Sequence, residues 1–486
     1  MNKPISISSM AKKLLKEGSI YSLEPIMKGL IGFLLIPIYT AYLTTEDYGN
    51  LEYILAFGQL CITIMSMGIE SAFWKFRSGN ADYSQGEVIF NGFFIQILVG
   101  IIILMISLLL KYILIEKSIV AKFILIYLGS RLISLIYNNI LLILRANFQA
   151  KFYIFVSTSH ALLLVCLNIF FVAYLKMNYQ GVIYSNLINA VVISIIFYYI
   201  LHNEFVKGIN WPLSNKMIRY GFPLMVGNIS AFVISLSDRF FLKVYAETAE
   251  LGFYAFGDKF AALVNIFLII PFFLSWNPIR WEIYEMENSK QIFSKFNILF
   301  FIFLPVLGLF ITSGAIFIGN FITVNKEFLF GFKIVAILAF SHVFYGLYYF
   351  NAMGMLFENK TKIIMIIIII GGCINLLFNI FLIPNFGMLG ASVATIMSYF
   401  FMFILGRFYS QRYYPIQRNA YFEVLQISLI FVYVFILTFL FYKVENIYAM
   451  ALFPFCVGIF HIMINMLFNN TFRTEINRIV NVQRVG

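Results

Sequence analysis

The sequence predicts an all-α, polytopic membrane protein with about fourteen transmembrane helices. Three observations carry that expectation. Hydrophobic residues make up 62% of the 486 and charged residues only 12%, where a soluble domain carries about 25% charged residues. The apolar residues fall in stretches of roughly 20, the length that crosses about 30 Å of hydrocarbon, with residues 97–110 and 363–370 the extreme cases. Lys and Arg recur at alternate ends of these stretches, as the positive-inside rule requires.

In chain order the first seven spans are expected near residues 20–43, 49–73, 88–111, 119–145, 153–175, 181–202 and 219–245. The other seven are expected near 251–277, 295–319, 330–356, 361–383, 388–407, 422–442 and 447–468. The first stretch follows Lys12, Lys13 and Lys16 but carries Glu24 and Lys28 and lacks a small-residue cleavage site, so it reads as a retained span rather than a secretion signal. An even span count puts both termini on one side. That side carries most of the Lys and Arg (Lys75 and Arg77, Arg145 and Lys151, Lys360 and Lys362, Arg407, Arg412 and Arg418). Both termini are therefore expected in the cytoplasm. The longest connections, near 203–218, 278–294 and 408–421, are all on that side and too short to fold as domains.

An internal repeat gives the spans an order. Tyr42-Leu-Thr-Thr-Glu-Asp-Tyr-Gly49 after span one matches Tyr245-Ala-Glu-Thr-Ala-Glu-Leu-Gly252 after span seven, at an offset of about 203 residues. Asn178-Tyr-Gln-Gly181 before span six corresponds to Asn385-Phe-Gly387 before span twelve, near the same offset. The reading is two six-helix lobes, 1–215 and 216–420, in parallel pseudo-repeat, followed by two additional helices and a cytoplasmic tail over 421–486.

Ionisable side chains inside spans cost about 2.5–3.5 kcal/mol each at the bilayer centre, so they face a cavity or a partner. The residues concerned are Glu24, Lys28, Glu52, Glu70, Arg131, Asp238, Arg239, Asp258 and Lys259. Glu52 and Glu70 lie within a turn of a span end, where snorkelling is the alternative. Glu24 and Lys28 are four residues apart and able to neutralise each other. Asp258 and Lys259, two turns into span eight, are open to an interfacial role. Arg131 lies midway along span four with no acidic residue within a turn, which calls for an acidic partner on another helix or an anionic ligand. Projected through the repeat, Asp238 and Arg239 fall on Leu35 and Ile36, so the charges do not repeat with the fold.

Pro25, Pro37, Pro223, Pro271 and Pro305 sit inside expected spans and allow bending. Tyr345, Tyr348 and Tyr349 share a helix face, either as a stacking surface for sugar rings or as part of an aromatic belt. The net charge of +12 is scattered over short loops and does not form a nucleic-acid surface. Cys61, Cys166, Cys373 and Cys456 have no metal-ligand spacing, and His160, His202, His342 and His461 are far apart. No Walker loop, nucleophile elbow or metal-binding His/Glu pattern occurs. That lack of chemistry points to moving a substrate rather than converting one, with no cofactor or metal.

At this point the sequence resembles a known family, the bacterial polysaccharide or oligosaccharide flippases of the Wzx type, in the multidrug/oligosaccharidyl-lipid/polysaccharide exporter superfamily. The resemblance is carried by Ile36-Pro-Ile-Tyr-Thr-Ala-Tyr-Leu-Thr-Thr-Glu-Asp-Tyr-Gly49, Met67-Gly-Ile-Glu-Ser-Ala72, Tyr220-Gly-Phe-Pro-Leu224, and Ser237-Asp-Arg-Phe-Phe-Leu242 followed by Leu251-Gly-Phe-Tyr-Ala255. It runs from about Ser19 to Arg412. It implies a two-lobe helical fold in the bacterial inner membrane and a substrate of undecaprenyl-pyrophosphate bearing an oligosaccharide. That lipid-linked unit would pass from inner to outer leaflet by alternating access, for O-antigen, lipopolysaccharide or another surface polymer, beside other polysaccharide assembly proteins. On this resemblance Arg131, Arg239, Lys28 and Lys259 are the candidate cations for pyrophosphate. Glu24, Glu70, Asp238 and Asp258 are the candidate carboxylates for coupling to a proton or sodium ion. Alternatives are a multidrug or metabolite exporter of the same superfamily, a membrane polysaccharide polymerase, and a scaffold within an envelope assembly.

Overall fold

A computed structural model describes residues 32–79, 83–113, 119–204, 208–444, 446–469 and 473. Glu24, Lys28 and Pro25 lie outside the described residues. Among those described, every regular element is helical, and twelve helices are long and apolar enough to cross a membrane. The apolar helix Gly32–Tyr42 is the described end of the first expected span. The helix Thr361–Tyr413 runs for 53 residues, about 80 Å at 1.5 Å per residue, far more than one bilayer crossing. It breaks at Gly387, whose backbone (φ 52°, ψ −130°) is outside the helical region and suits only glycine. It therefore supplies the expected spans eleven and twelve.

Contacts divide the chain into two compact units, Met1–Phe232 and Val233–Gly486. The first contains α1 (Ile36–Tyr42), α2 (Thr45–Ser66), α3 (Ile69–Gly79), α4 (Gln85–Ile113), α5 (Ile119–Ala146), α6 (Ala150–Asn168) and α7 (Asn178–Leu201). The helix α8 (Trp211–Leu236) carries the boundary. The second contains α9 (Asp238–Tyr245), α10 (Thr248–Ala261), α11 (Ile270–Tyr284), α12 (Ser289–Ile322), α13 (Val335–Asn351), α14 (Met353–Phe357), α15 (Thr361–Tyr413), α16 (Ala420–Lys443) and α17 (Ile447–Phe468).

Both units begin with the same device. α1 ends at Tyr42 and α9 at Tyr245; each is followed by an extended residue, Leu43 or Ala246, and the next helix starts at Thr45 or Thr248. Each pair of positions is 203 residues apart, the offset of the sequence repeat. In the first unit Thr44 and Asp47 form a reciprocal capping box that starts α2. Leu35 and Ile36, the positions projected from Asp238 and Arg239, are buried apolar residues.

The helices are inside-out relative to a soluble bundle. Leu98, Ile101, Ile102, Met105 and Ile106 of α4 are each 45% exposed or more, an apolar stripe that only lipid accommodates. Small residues allow close packing where helices meet. A methyl group at Gly458 of α17 would crowd Phe310 of α12, and Ser313 Oγ of α12 donates to the Ala451 carbonyl. The last two helices thus pack within the second unit, against α12 and α13.

Several helices outrun their expected spans. α11 continues to Tyr284 and α12 starts at Ser289, so the expected connection 278–294 is helical except around residues 285–288. Likewise α8 begins at Trp211 and α15 continues to Tyr413. Hydropathy marks where a helix meets lipid, whereas backbone hydrogen bonding carries it on into water. The expected prolines take distinct roles. Pro37 opens α1, Pro223 and Pro305 lie inside α8 and α12, and Pro271 follows a π-helical turn over Asn265–Ile269. That turn absorbs the backbone mismatch proline creates.

Candidate functional site

Two constellations of polar side chains stand out, one in each unit. In the first, α2 ends in two left-handed residues, Met67 (φ 47°) and Gly68 (φ 65°). Gly221 of α8 packs directly on this turn, where a methyl at either glycine would overlap the opposing carbonyl oxygen. Two motifs far apart in the sequence, Met67-Gly68 and Tyr220-Gly221, therefore meet backbone to backbone. The turn redirects the chain so that α3 starts at Ile69 with Glu70 in its first turn.

Glu70 borders a cavity of about 490 Å³, lined also by Trp74, Gln96, Asn138, Asn139, Arg145 and Asn228. Arg145, in the last turn of α5, donates from Nη2 to Glu70 Oε1 at 2.8 Å. The two side chains are 32% and 59% exposed. The Arg145 Nε is enclosed without a hydrogen-bond partner. Deeper in, Asn139 Nδ2 donates to Gln96 Oε1 at 2.8 Å and to the Leu135 carbonyl. This is an unusual concentration of amides and charge among apolar spans, where an unpaired polar group costs several kcal/mol.

Arg131 lies on α5 with its guanidinium 5.8 Å from the Tyr127 ring centroid. Its Nε has no hydrogen-bond partner, and the side chain is half-buried. It falls one turn before Leu135, on the helix face that continues through Leu135, Asn138, Leu142 and Arg145. The two arginines thus end one stripe, separated by about 21 Å along the axis. Glu52 is buried in α2.

In the second unit Asp238, Arg239 and Asp258 come together. Arg239 Nη2 donates to Asp258 Oδ2 at 2.9 Å, and Nη1 to the Ser235 carbonyl at 3.2 Å. The side chains of this pair are 5% and 25% exposed. Asp238 Oδ2 accepts a hydrogen bond from Tyr254 Oη and lies 3.5 Å from Thr395 Oγ1. Asp238 Oδ1 is enclosed without a partner. Beside it, Ser237 Oγ donates to Asn375 Oδ1 at 2.8 Å, and Asn379 Nδ2 donates to both Ser237 Oγ and Asn375 Oδ1. Placing Asp238 next to Arg239 at the α8–α9 break keeps a buried carboxylate and guanidinium mutually compensated. Lys259, one residue past Asp258, is half-buried.

The tyrosines of α13 belong to the interior rather than to an interfacial belt. Tyr348 is buried, the Tyr345 ring is tilted against Tyr399 at 5.4 Å, and Tyr349 lies 4.4 Å from Phe273. Among the described residues no group of three or more His, Cys, Asp or Glu is placed to hold a metal ion.

Charge and the Tyr345, Tyr348 and Tyr349 face mark site residues in the sequence, and neither signal reaches the neutral amides. Trp74, Gln96, Asn138, Asn139, Asn375 and Asn379 carry neither signal, although all but Trp74 sit in apolar runs. The Asn138-Asn139 pair and the four-residue spacing of Asn375 and Asn379 were the available signals.

Residues 14–284 match the model of the polysaccharide biosynthesis protein family. The chain belongs to that family. Over 239 residues it is 29% identical to an uncharacterised membrane protein of Methanocaldococcus jannaschii, a match covering 45% of each chain, so it spans less than half of that relative's length. Its fold is that of the lipid II flippase MurJ in an inward closed conformation (TM-score 0.64, 17% identity, 94% of this chain and 99% of that one). An inward-facing multidrug resistance transporter of the MATE family, in the MOP superfamily, is also similar (TM-score 0.58, 14% identity, 79% of this chain and 94% of that one). The family member described here is thus a multi-pass membrane protein that shares its fold with these two structures.

Proposed function

We propose that this polysaccharide biosynthesis family member is a flippase. It moves the head group of a polyprenyl-pyrophosphate-linked oligosaccharide from the inner to the outer leaflet of the bacterial inner membrane, both termini being cytoplasmic. The observation that carries the reading is the cavity of the first unit. It offers a guanidinium, several amides and an indole within otherwise apolar helices. A guanidinium suits phosphate oxygens, amides suit sugar hydroxyls, and an indole face suits a sugar ring. A pyrophosphate and several sugars cannot cross hydrocarbon unaided, while a polyprenyl tail remains in lipid throughout. Arg131, one turn beyond the cavity and about 21 Å along α5 from Arg145, is the candidate cation for a later position of the same group, and Lys259 is the candidate in the other unit, where Arg239 is enclosed with Asp258.

Coupling falls to the second unit. Arg239 pairs with Asp258, and its chain neighbour Asp238 accepts from Tyr254, so a proton or sodium ion at Asp238 changes the charge balance of a buried cluster. Repacking at the α8–α9 break then links that change to alternating access. A multidrug exporter is the competing reading. It is favoured by the MATE-like fold and by carboxylates in both constellations, but Arg145 in the cavity opposes an organic cation.

The test is a chromosomal deletion followed by locating the lipid-linked repeat units. Accumulation in the inner leaflet is the expected result. Repeat units that reach the outer face but remain unpolymerised would assign the chain to polymerisation instead.

A further inference from the structure

We infer that Glu70 is a built-in stand-in for the substrate's phosphate: the Arg145–Glu70 pair is an occupied anion seat from which an entering pyrophosphate displaces the carboxylate. The inference rests on the flippase reading and names the atom at which that substrate is first held.

Four observations support it. First, Arg145 offers more donors than Glu70 takes. Nη2 bonds to Glu70, and among the described residues the guanidinium makes no second hydrogen bond. A guanidinium presents five N–H donors in a fork that fits phosphate two at a time. Second, the pair is exchangeable. Its side chains are 32% and 59% exposed, and pairs that exposed contribute at most about a fivefold bias in an equilibrium. The Arg239–Asp258 pair, 5% and 25% exposed, is enclosed and unsuited to such exchange. Third, the contact bridges elements distant in sequence, 75 residues apart, and opens directly on the cavity, so a ligand reaches it without unfolding a helix. Fourth, Glu70 stands in the first turn of α3, just after the Met67-Gly68 turn clamped by Gly221. Its backbone is fixed while its side chain swings.

The arrangement has a physical logic. An unpaired guanidinium facing a cavity between apolar helices is costly, so a tethered carboxylate keeps the cavity neutral between substrates. Pyrophosphate carries more negative charge than one carboxylate and repels it on arrival. Neutral saccharides have no means of exchanging with Glu70, which makes the seat selective for anionic, phosphate-linked head groups.

The experiment measures binding of farnesyl diphosphate and of inorganic pyrophosphate to the full-length protein in detergent, by calorimetry, with farnesol as the uncharged control. Glu70→Gln is expected to bind both phosphate probes about three- to fivefold more tightly than wild type, and Arg145→Gln at least tenfold more weakly. The exchanged pair Glu70→Arg/Arg145→Glu is expected to keep the wild-type melting temperature and lose binding, which separates the seat from a merely structural contact. Farnesyl diphosphate binding more tightly than pyrophosphate identifies a lipid-linked ligand. Pyrophosphate binding at least as tightly as farnesyl diphosphate, no phosphate probe binding to wild type, equal or weaker binding by Glu70→Gln, or unchanged binding by Arg145→Gln overturns the inference. Translocation in proteoliposomes, measured alongside, keeps the two claims apart. Transport without this binding pattern defeats the seat alone, and the pattern without transport defeats the flippase reading alone.

Discussion

The enclosed pair in the second unit should be energetically coupled, and a double-mutant cycle on Arg239→Gln and Asp258→Asn measures by how much. The guanidinium and carboxylate meet at 2.9 Å with side chains 5% and 25% exposed. Unit charges about 4 Å apart at an effective dielectric near 20 attract by about 4 kcal/mol. Partial exposure of Asp258 and the Ser235 carbonyl, which still engages Arg239 in the single variant, lower that figure. A coupling of about 2–3 kcal/mol is the result. Neutral interhelical hydrogen bonds in membrane proteins couple by about 0.6 kcal/mol on average, so the magnitudes separate cleanly. The assay is unfolding in mixed micelles, read on wild type, both single variants and the double variant. A coupling at or below about 0.6 kcal/mol would refute the argument that this pair is a charged, enclosed unit.

Three further outcomes are expected. Gly221→Ala forces a methyl onto the Met67 carbonyl and should destabilise the protein by about 1–3 kcal/mol; a melting temperature equal to wild type would contradict the backbone contact. Glu250→Ala removes the carboxylate that accepts from the Met388 amide at 2.8 Å beside the Gly387 break, and should cost about 1 kcal/mol or more, seen as earlier proteolysis at that turn. Arg131→Ala should insert and fold normally yet lose transport, since its side chain has no acidic partner among the described residues; full transport by this variant would remove it from the substrate path.

The helical fold was largely legible in the sequence because a membrane imposes a strong signal, the length of its apolar spans. The repeat was legible because the turn after each opening helix keeps its tyrosine and threonine at Tyr42 and Thr45 and at Tyr245 and Thr248. The break within residues 361–413 was legible from the Asn385-Phe-Gly387 segment between the expected spans. The sites were legible only where they were charged. Asp238, Arg239 and Asp258 were chosen from the sequence, but their meeting depends on how α9 packs beside α10, which hydropathy does not encode. Glu70 was chosen without its partner, because Arg145 reads as one more cytoplasmic cation until α3 and α5 are placed side by side. Neutral amides such as Asn139 and Gln96 carry no charge signal at all, although burying them between apolar helices requires partners.

The measurement that bears most directly on the central claim is translocation itself. Purified protein is reconstituted into liposomes with a fluorescent polyprenyl-pyrophosphate-linked saccharide, and the fraction open to a membrane-impermeant quencher is followed in time. The account predicts that wild type exposes the whole labelled pool to the quencher, while Arg145→Gln liposomes stall at the outer-leaflet half, like protein-free ones. Wild-type liposomes that also stall at half, from protein shown to be folded, would contradict it.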